Sequence, residues 1–192
     1  MLASGSPRRR DLIQLLGVPV TVEPSRYDEP PAPEQPVDVP AFVSELALCK
    51  ARETLSRFPR DLVIGADTEV TLDEGGIGRL FGKPRDAADA AKMLRQLAGN
   101  THFVWTGIAV VSAAGEWTAS EVTAVEFAPM REHEILRYVA TGEPMDKAGG
   151  YGAQGLAAPW ISGIRGDFHN VVGLPLCRLR LLLQEAGWRH GP

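Results

Sequence analysis

The sequence predicts a mixed α/β fold: a twisted, partly parallel sheet with helices flanking it. Three observations carry this. Residues 62–68, LVIGADT, are apolar on both faces, as in a strand of a parallel sheet. Helical and strand patterns alternate along the chain. Residues 102–112 and 117–128 read as two strands joined by the turn AAGE. That hairpin interrupts the alternation, so the sheet is mixed rather than purely parallel.

The elements follow in order. Leu2 and Ala3 read as the tail of a strand. In SGSPRRRDLIQLLG (4–17), Leu12, Ile13, Leu15 and Leu16 fall at helical spacing. Ser6 suits the N-cap, Pro7 the first helical position and Gly17 the stop. Residues 18–22, VPVTV, read as a short strand. Residues 24–40 hold six prolines and the acids Asp28, Glu29, Glu34 and Asp38, which makes this segment a loop. A helix is expected over Pro40–Arg57 with Val43, Leu46 and Ala47 as its apolar stripe. Lys50 falls on that stripe, so it either snorkels at the rim or points into a cleft. Residues 72–84 form a glycine-rich turn. Asp86 caps a helix with Asp89 three residues on; Ala87, Ala90, Ala91, Leu94 and Leu97 face inward, and Gly99 ends it. After the hairpin come a short helix (131–140), a second glycine-rich loop (141–155), a strand near 159–165 and a last helix, Pro175–Ala186, stopped by Gly187.

Composition narrows the class. The chain has 192 residues, 44% hydrophobic and 23% charged, which suits one compact domain or two small lobes sharing a cleft. The net charge of −4 points away from nucleic acid and membrane surfaces, so any anion site must be a local cluster of cations. The two cysteines, Cys49 and Cys177, lie in helical patterns without a CxxC pair. They read as buried or semi-buried thiols of a reducing compartment. RRRD stands where a signal peptide needs an apolar run, and no apolar stretch approaches the roughly 20 residues of a membrane span. A cytoplasmic protein is expected.

Three places suit chemistry. The first is SGSPRRR. Arg8, Arg9 and Arg10 sit at the positive end of a helix dipole, where cations are unfavourable. A bound phosphate reverses that, with Ser4 and Ser6 as hydroxyl donors and Gly5 admitting close backbone approach. The plain alternative is a capped helix with solvated arginines. The second is Asp67, at the end of a buried strand, where open α/β sheets place ligands; the alternative is a turn cap. Glu69 shares its face if the strand continues, and a carboxylate pair can hold Mg²⁺ before phosphate oxygens. The third is Lys83 in FGKPRD. This is not a phosphate-binding P-loop, because Pro84 replaces the Ser or Thr and Ile77 the first Gly; alone it reads as a surface turn lysine. His102, His133, His169 and His190 are scattered and define no zinc site. No nucleophile elbow or Cys–His signature is present.

Taken together, LASGSPRR (2–9), GADT (65–68), GKPRDAADAAKMLRQLAGNTH (82–102), DKAGGYGAQG (146–155) and NVVGLPL (170–176) resemble the Maf family. The resemblance runs from residue 2 to about residue 185 in the family's order. It implies one Maf-like domain over 1–192, with the two-lobed, inosine triphosphatase-like α/β fold around a central cleft, and a homodimer. It implies hydrolysis of a nucleoside triphosphate between the α and β phosphates, giving the monophosphate and pyrophosphate, with Mg²⁺ or Mn²⁺ as cofactor. Carried over by motif, the catalytic aspartate is Asp67. Ser4, Ser6, Arg8, Arg9, Lys50 and Lys83 bind phosphate, and Glu29 with Asp67 holds the metal. Arg8, Thr68 and Gln154 match the branch that takes dTTP and UTP. The branch preferring 7-methylguanosine triphosphate carries an aromatic residue, Gln and Glu there.

In the mechanism this implies, Asp67 orients or deprotonates water attacking the α-phosphorus, the cations offset charge on the leaving pyrophosphate, and Gln154 reads the pyrimidine edge. The rival reading is a non-enzymatic, nucleotide-binding regulator of septum formation. Three features depart from the family pattern. The motif begins within two residues of Met1, implying a start upstream or a short first strand. Gly150 replaces a common Ala. Glu69 replaces an apolar residue and either adds a metal ligand or faces solvent, the latter being expected.

Overall fold

The computed structural model describes residues 1–17 and 19–188. Helix α1 (Pro7–Gln14) begins where expected: Ser6 is extended, and its Oγ accepts the Arg9 N–H at 3.4 Å. The proline loop leads to a two-residue strand, β1 (Val37–Asp38), and then to α2 (Val39–Arg57), capped by Asp38. The buried run LVIGADT becomes β2 (Val63–Thr71) and continues two residues past Glu69. Strand β3 (Ile77–Gly78) pairs with β1 inside the glycine-rich turn. Helix α3 (Ala87–Leu97) is capped by Asp86, which accepts from Asp89 N. The hairpin is β4 (Thr101–Ser112) and β5 (Gly115–Phe127), followed by α4 (Glu132–Ala140). Three short 3₁₀ turns fill 143–160. Strand β6 (Ile161–Arg165), α5 (Phe168–Val172) and α6 (Leu176–Glu185) complete the fold.

The main sheet has the order β2-β4-β5-β6, and every pairing in it is antiparallel. This corrects the partly parallel sheet expected from β2. Among the described residues the parallel pairings are the isolated bridges of Leu2 to Val22 and to Ile64. Strand β2 is apolar on both faces because helices cover both, which a helix-flanked antiparallel strand needs as much as a parallel one. The strand expected over 18–22 reduces to the bridge at Val22, with Val18 outside the described residues. Cys49 is half-buried as expected, but Cys177 is exposed on α6.

Period-two alternation along the strands divides the core. Val63 and Val111 point to α2 and meet Ala47 and Ala51; Val39 and Val43 of α2 meet Phe103 and Trp105. Gly65 and Gly107 let α2 lie directly on the sheet, since a Cβ at either would overlap the backbone of Ala47 or Val43. The opposite face carries two separate clusters. Ile64, Ala66, Ile108 and Val110 pack under α1 and α6. Val70, Val104 and Val125 pack under α3 and α4. Between them lie Thr68 and Thr106, hydrogen-bonded to each other at 2.9 Å. The sheet face is thus apolar at both ends and polar in the middle, and a cleft opens over that strip.

Candidate functional site

The cleft has a volume of about 360 Å³. Its walls come from the start of α1, the proline loop, the middle of β2, the 83 turn and the second glycine-rich loop. Ser4, Ser6, Arg8, Arg9, Glu29, Lys50, Asp67, Thr68, Lys83 and Gln154 all line it. The fold therefore gathers into one cavity every residue singled out from the motifs for catalysis or binding.

At the α1 end, Arg9 is half-buried and heavily engaged. Its Nε donates to Gly173 O at 2.7 Å, one terminal nitrogen to Thr68 Oγ1 at 2.9 Å and the other to Ser4 Oγ at 3.4 Å. A guanidinium has five N–H donors, so two remain for a ligand. Burial pushes the Arg9 pKa down while the Asp67 charge holds it up. Arg8 spans the cleft to Asp146 at 3.4 Å. Ser4 Oγ accepts from Ser6 N, and Ser6 Oγ from Arg9 N. Each hydroxyl therefore keeps its own O–H to donate. Arg10 is exposed and does not line the cavity.

At the other end stand the carboxylates. Lys50 enters the cleft rather than snorkelling out: its Nζ lies 2.6 Å from Asp67 Oδ1 and 2.9 Å from Glu29 Oε1. Asp67 Oδ2 is buried without a partner among the described residues. Glu69 corrects an expectation. It is half-buried rather than solvent-facing, and its Oε2 is likewise buried and unpartnered. Burial first, and the Asp67 charge second, push its pKa up to about 8. Among the described residues no three His, Cys, Asp or Glu side chains gather as a metal cluster, so the protein itself offers carboxylates in pairs.

Sequence reasoning assigned no role to Ser25, Tyr27, Asp146, Lys147 or Tyr151, which also line the cavity. Asp146 and Lys147 carry a usable signal, an adjacent acid–base pair opening a glycine-rich loop. Ser25 and Tyr27 lie in the proline loop, whose lack of periodicity hides which residues turn inward. Their placement depends on Glu53 of α2, which accepts from Ser25 Oγ at 2.9 Å and Arg26 N at 2.8 Å and pairs with Arg57.

The family and sequence comparisons point one way. A family model described as Maf-like protein matches residues 1–186. The dTTP/UTP pyrophosphatase of Pelotomaculum thermopropionicum is 49% identical over 191 residues, covering 98% of this chain and 96% of that one. The protein of the same name from Symbiobacterium thermophilum is 47% identical over 189 residues, covering 98% and 94%. Among solved structures, the Staphylococcus aureus Ham1 protein aligns with a TM-score of 0.49 and 14% identity, over 83% of this chain and 78% of that one. No described helix is long and apolar enough to cross a membrane. With a family model spanning nearly the whole chain and relatives near half identical to it, this chain belongs to the Maf family.

Proposed function

We propose that this protein is a nucleoside triphosphate pyrophosphatase that hydrolyses dTTP and UTP, or modified pyrimidine triphosphates, to the monophosphate and pyrophosphate. One observation carries the reading: cations at a helix start face a carboxylate centre across a single cavity, in a chain 47–49% identical to proteins named dTTP/UTP pyrophosphatase. The match over residues 1–186 also supports taking the chain as one Maf-like domain. The homodimer belongs to the same reading, and its solution mass tests it.

Asp67 is the base. Lys50 holds Oδ1, which leaves the buried Oδ2 free to orient a water and take its proton as the water attacks the α-phosphorus. Arg8, the two spare N–H groups of Arg9 and Lys83 meet the charge that builds on the leaving pyrophosphate. Ser4 and Ser6 donate to its oxygens. Thr68 acts through Arg9, because its hydroxyl is already engaged. Gln154 offers both a donor and an acceptor to a pyrimidine edge.

The donor set fits a hard divalent cation. Mg²⁺ is usually held by one or two carboxylates with substrate phosphates and water completing its shell. Asp67 has a buried oxygen with no partner among the described residues, and Glu29 reaches the Lys50 ammonium from the opposite loop. Asp67 and Glu29 would hold Mg²⁺ or Mn²⁺, which supplies charge neutralisation and polarisation of phosphate oxygens.

The test is pyrophosphate release by purified protein with Mg²⁺ or Mn²⁺ from dTTP, UTP, CTP and the purine triphosphates. Release from dTTP and UTP above the others is expected. Binding of all of them without turnover would instead favour a nucleotide-binding regulator.

A further inference from the structure

Gln154 is exposed and lines the cleft, and its amide makes no hydrogen bond to the described residues. An unheld side chain on a glycine-rich loop discriminates between bases only if the backbone beneath it is fixed. The structure shows how that backbone is fixed. The Glu143 carboxylate accepts the Leu156 N–H with both oxygens, at 3.1 and 2.9 Å, and the Tyr138 hydroxyl at 3.0 Å. Leu156 lies two residues beyond Gln154. Glycine at 155 is required by this contact, because a Cβ there would overlap the Glu143 carboxylate. Gly152 is confined in the same way, with Lys147 Cε 2.8 Å from where its Cβ would lie. Lys147 in turn donates to Glu143 O at 2.6 Å. At the loop's other end Tyr151 is buried, its hydroxyl 2.6 Å from His102 Nε2 and its ring against Phe127.

We propose that Glu143 is a positioning residue for base selection: by tying Leu156 N–H to Tyr138, it fixes the height and direction from which Gln154 meets the pyrimidine. The proposal rests on the pyrophosphatase reading above. Glu143 does not line the cleft. Its effect therefore falls on substrate affinity and base preference rather than on the chemical step.

The experiment uses the full chain carrying Glu143→Ala, Glu143→Gln and Tyr138→Phe. Steady-state kinetics are measured with dTTP, UTP, CTP and GTP, and folding is followed by thermal melting. Glu143→Ala should raise KM for dTTP about tenfold or more, change kcat less than about threefold, and narrow the preference for dTTP over CTP and GTP. Glu143→Gln keeps an oxygen acceptor for Leu156 N–H and should return KM to within about threefold of the parent. Tyr138→Phe removes a single one of the three bonds and should shift KM in the same direction by about two- to threefold, which keeps the idea open to test if Glu143→Ala does not fold. A merely structural role predicts a lowered melting temperature and a smaller active fraction, with KM and base preference untouched; that result overturns the proposal. So does failure of Glu143→Gln to restore KM. If the parent releases no pyrophosphate from any of the four nucleotides, the pyrophosphatase reading falls and takes this proposal with it.

Discussion

Both cleft-facing arginines of α1 are bound to protein groups, whereas two carboxylate oxygens on β2 are buried with no partner among the described residues. The two ends of the cleft therefore differ in what a ligand would change. At the α1 end the geometry is already fixed: Arg9 ties the helix start to β2 and to the end of α5, and a phosphate would add bonds to a finished frame. At the carboxylate end Asp67 and Glu69 carry buried oxygens with no protein partner among the described residues, which a cation or water can take up. Removing a group at the first end should damage both stability and function, while removing one at the second should damage function alone or even stabilise the chain.

Asp67→Asn gives the largest contrast. The amide oxygen can still accept from Lys50, so the melting temperature should change little, while turnover falls about a thousandfold or more through loss of the base. Pyrophosphate release and a melting curve on the same sample check both halves. If Asp67→Asn turns over dTTP at the parent rate, Asp67 is not the base. Next comes Arg9→Ala, which removes three hydrogen bonds from a half-buried cation. Denaturant unfolding should show a loss of about 2–4 kcal/mol, and kcat/KM should fall about ten- to a hundredfold. An Arg9→Ala variant of parent stability would erase the contrast between the two ends.

Glu69 sharpens the comparison through pH. Its folded-state pKa, about 8, lies above the ordinary carboxylate value of 4.5. The unfolded chain thus loses this proton first as pH rises. Stability should fall between about pH 4.5 and 8, at up to roughly 1.4 kcal/mol per pH unit. Glu69→Gln removes the titration, so its melting temperature should exceed the parent's at pH 8 and match it near pH 4.5, both measured without metal. The smallest effect belongs to Arg10→Ala. An exposed side chain outside the cavity should change stability by less than about 0.5 kcal/mol and leave turnover within about twofold of the parent.

The difference between Arg9 and Arg10 marks where sequence reading stops. Both stand in the first turn of α1, and the motif alone separates them as matched and unmatched positions. The motif could not show that Arg9 spends three of its five donors on Gly173, Thr68 and Ser4. Those partners are as much as 164 residues away in the chain. Glu69 illustrates the same limit, because alternation puts it on the Asp67 face but does not say whether that face is wet at its position. The antiparallel sheet was hidden for a related reason: a strand covered on both faces has the same apolar pattern whichever way its neighbours run.

By itself the sequence determined the main helices and the β4–β5 hairpin. Caps at Ser6 and Asp86, apolar stripes and turn residues are local, and each is satisfied by neighbours within a few positions. The matched motifs likewise named many, though not all, of the residues that come to line the cleft. Tertiary structure alone decided strand direction, which buried oxygens lack partners, and how Glu143 and His102 hold the Gln154 loop. These are properties of groups brought together across the fold, and hydrogen bonding and desolvation depend on what surrounds an atom rather than on what precedes it in the chain.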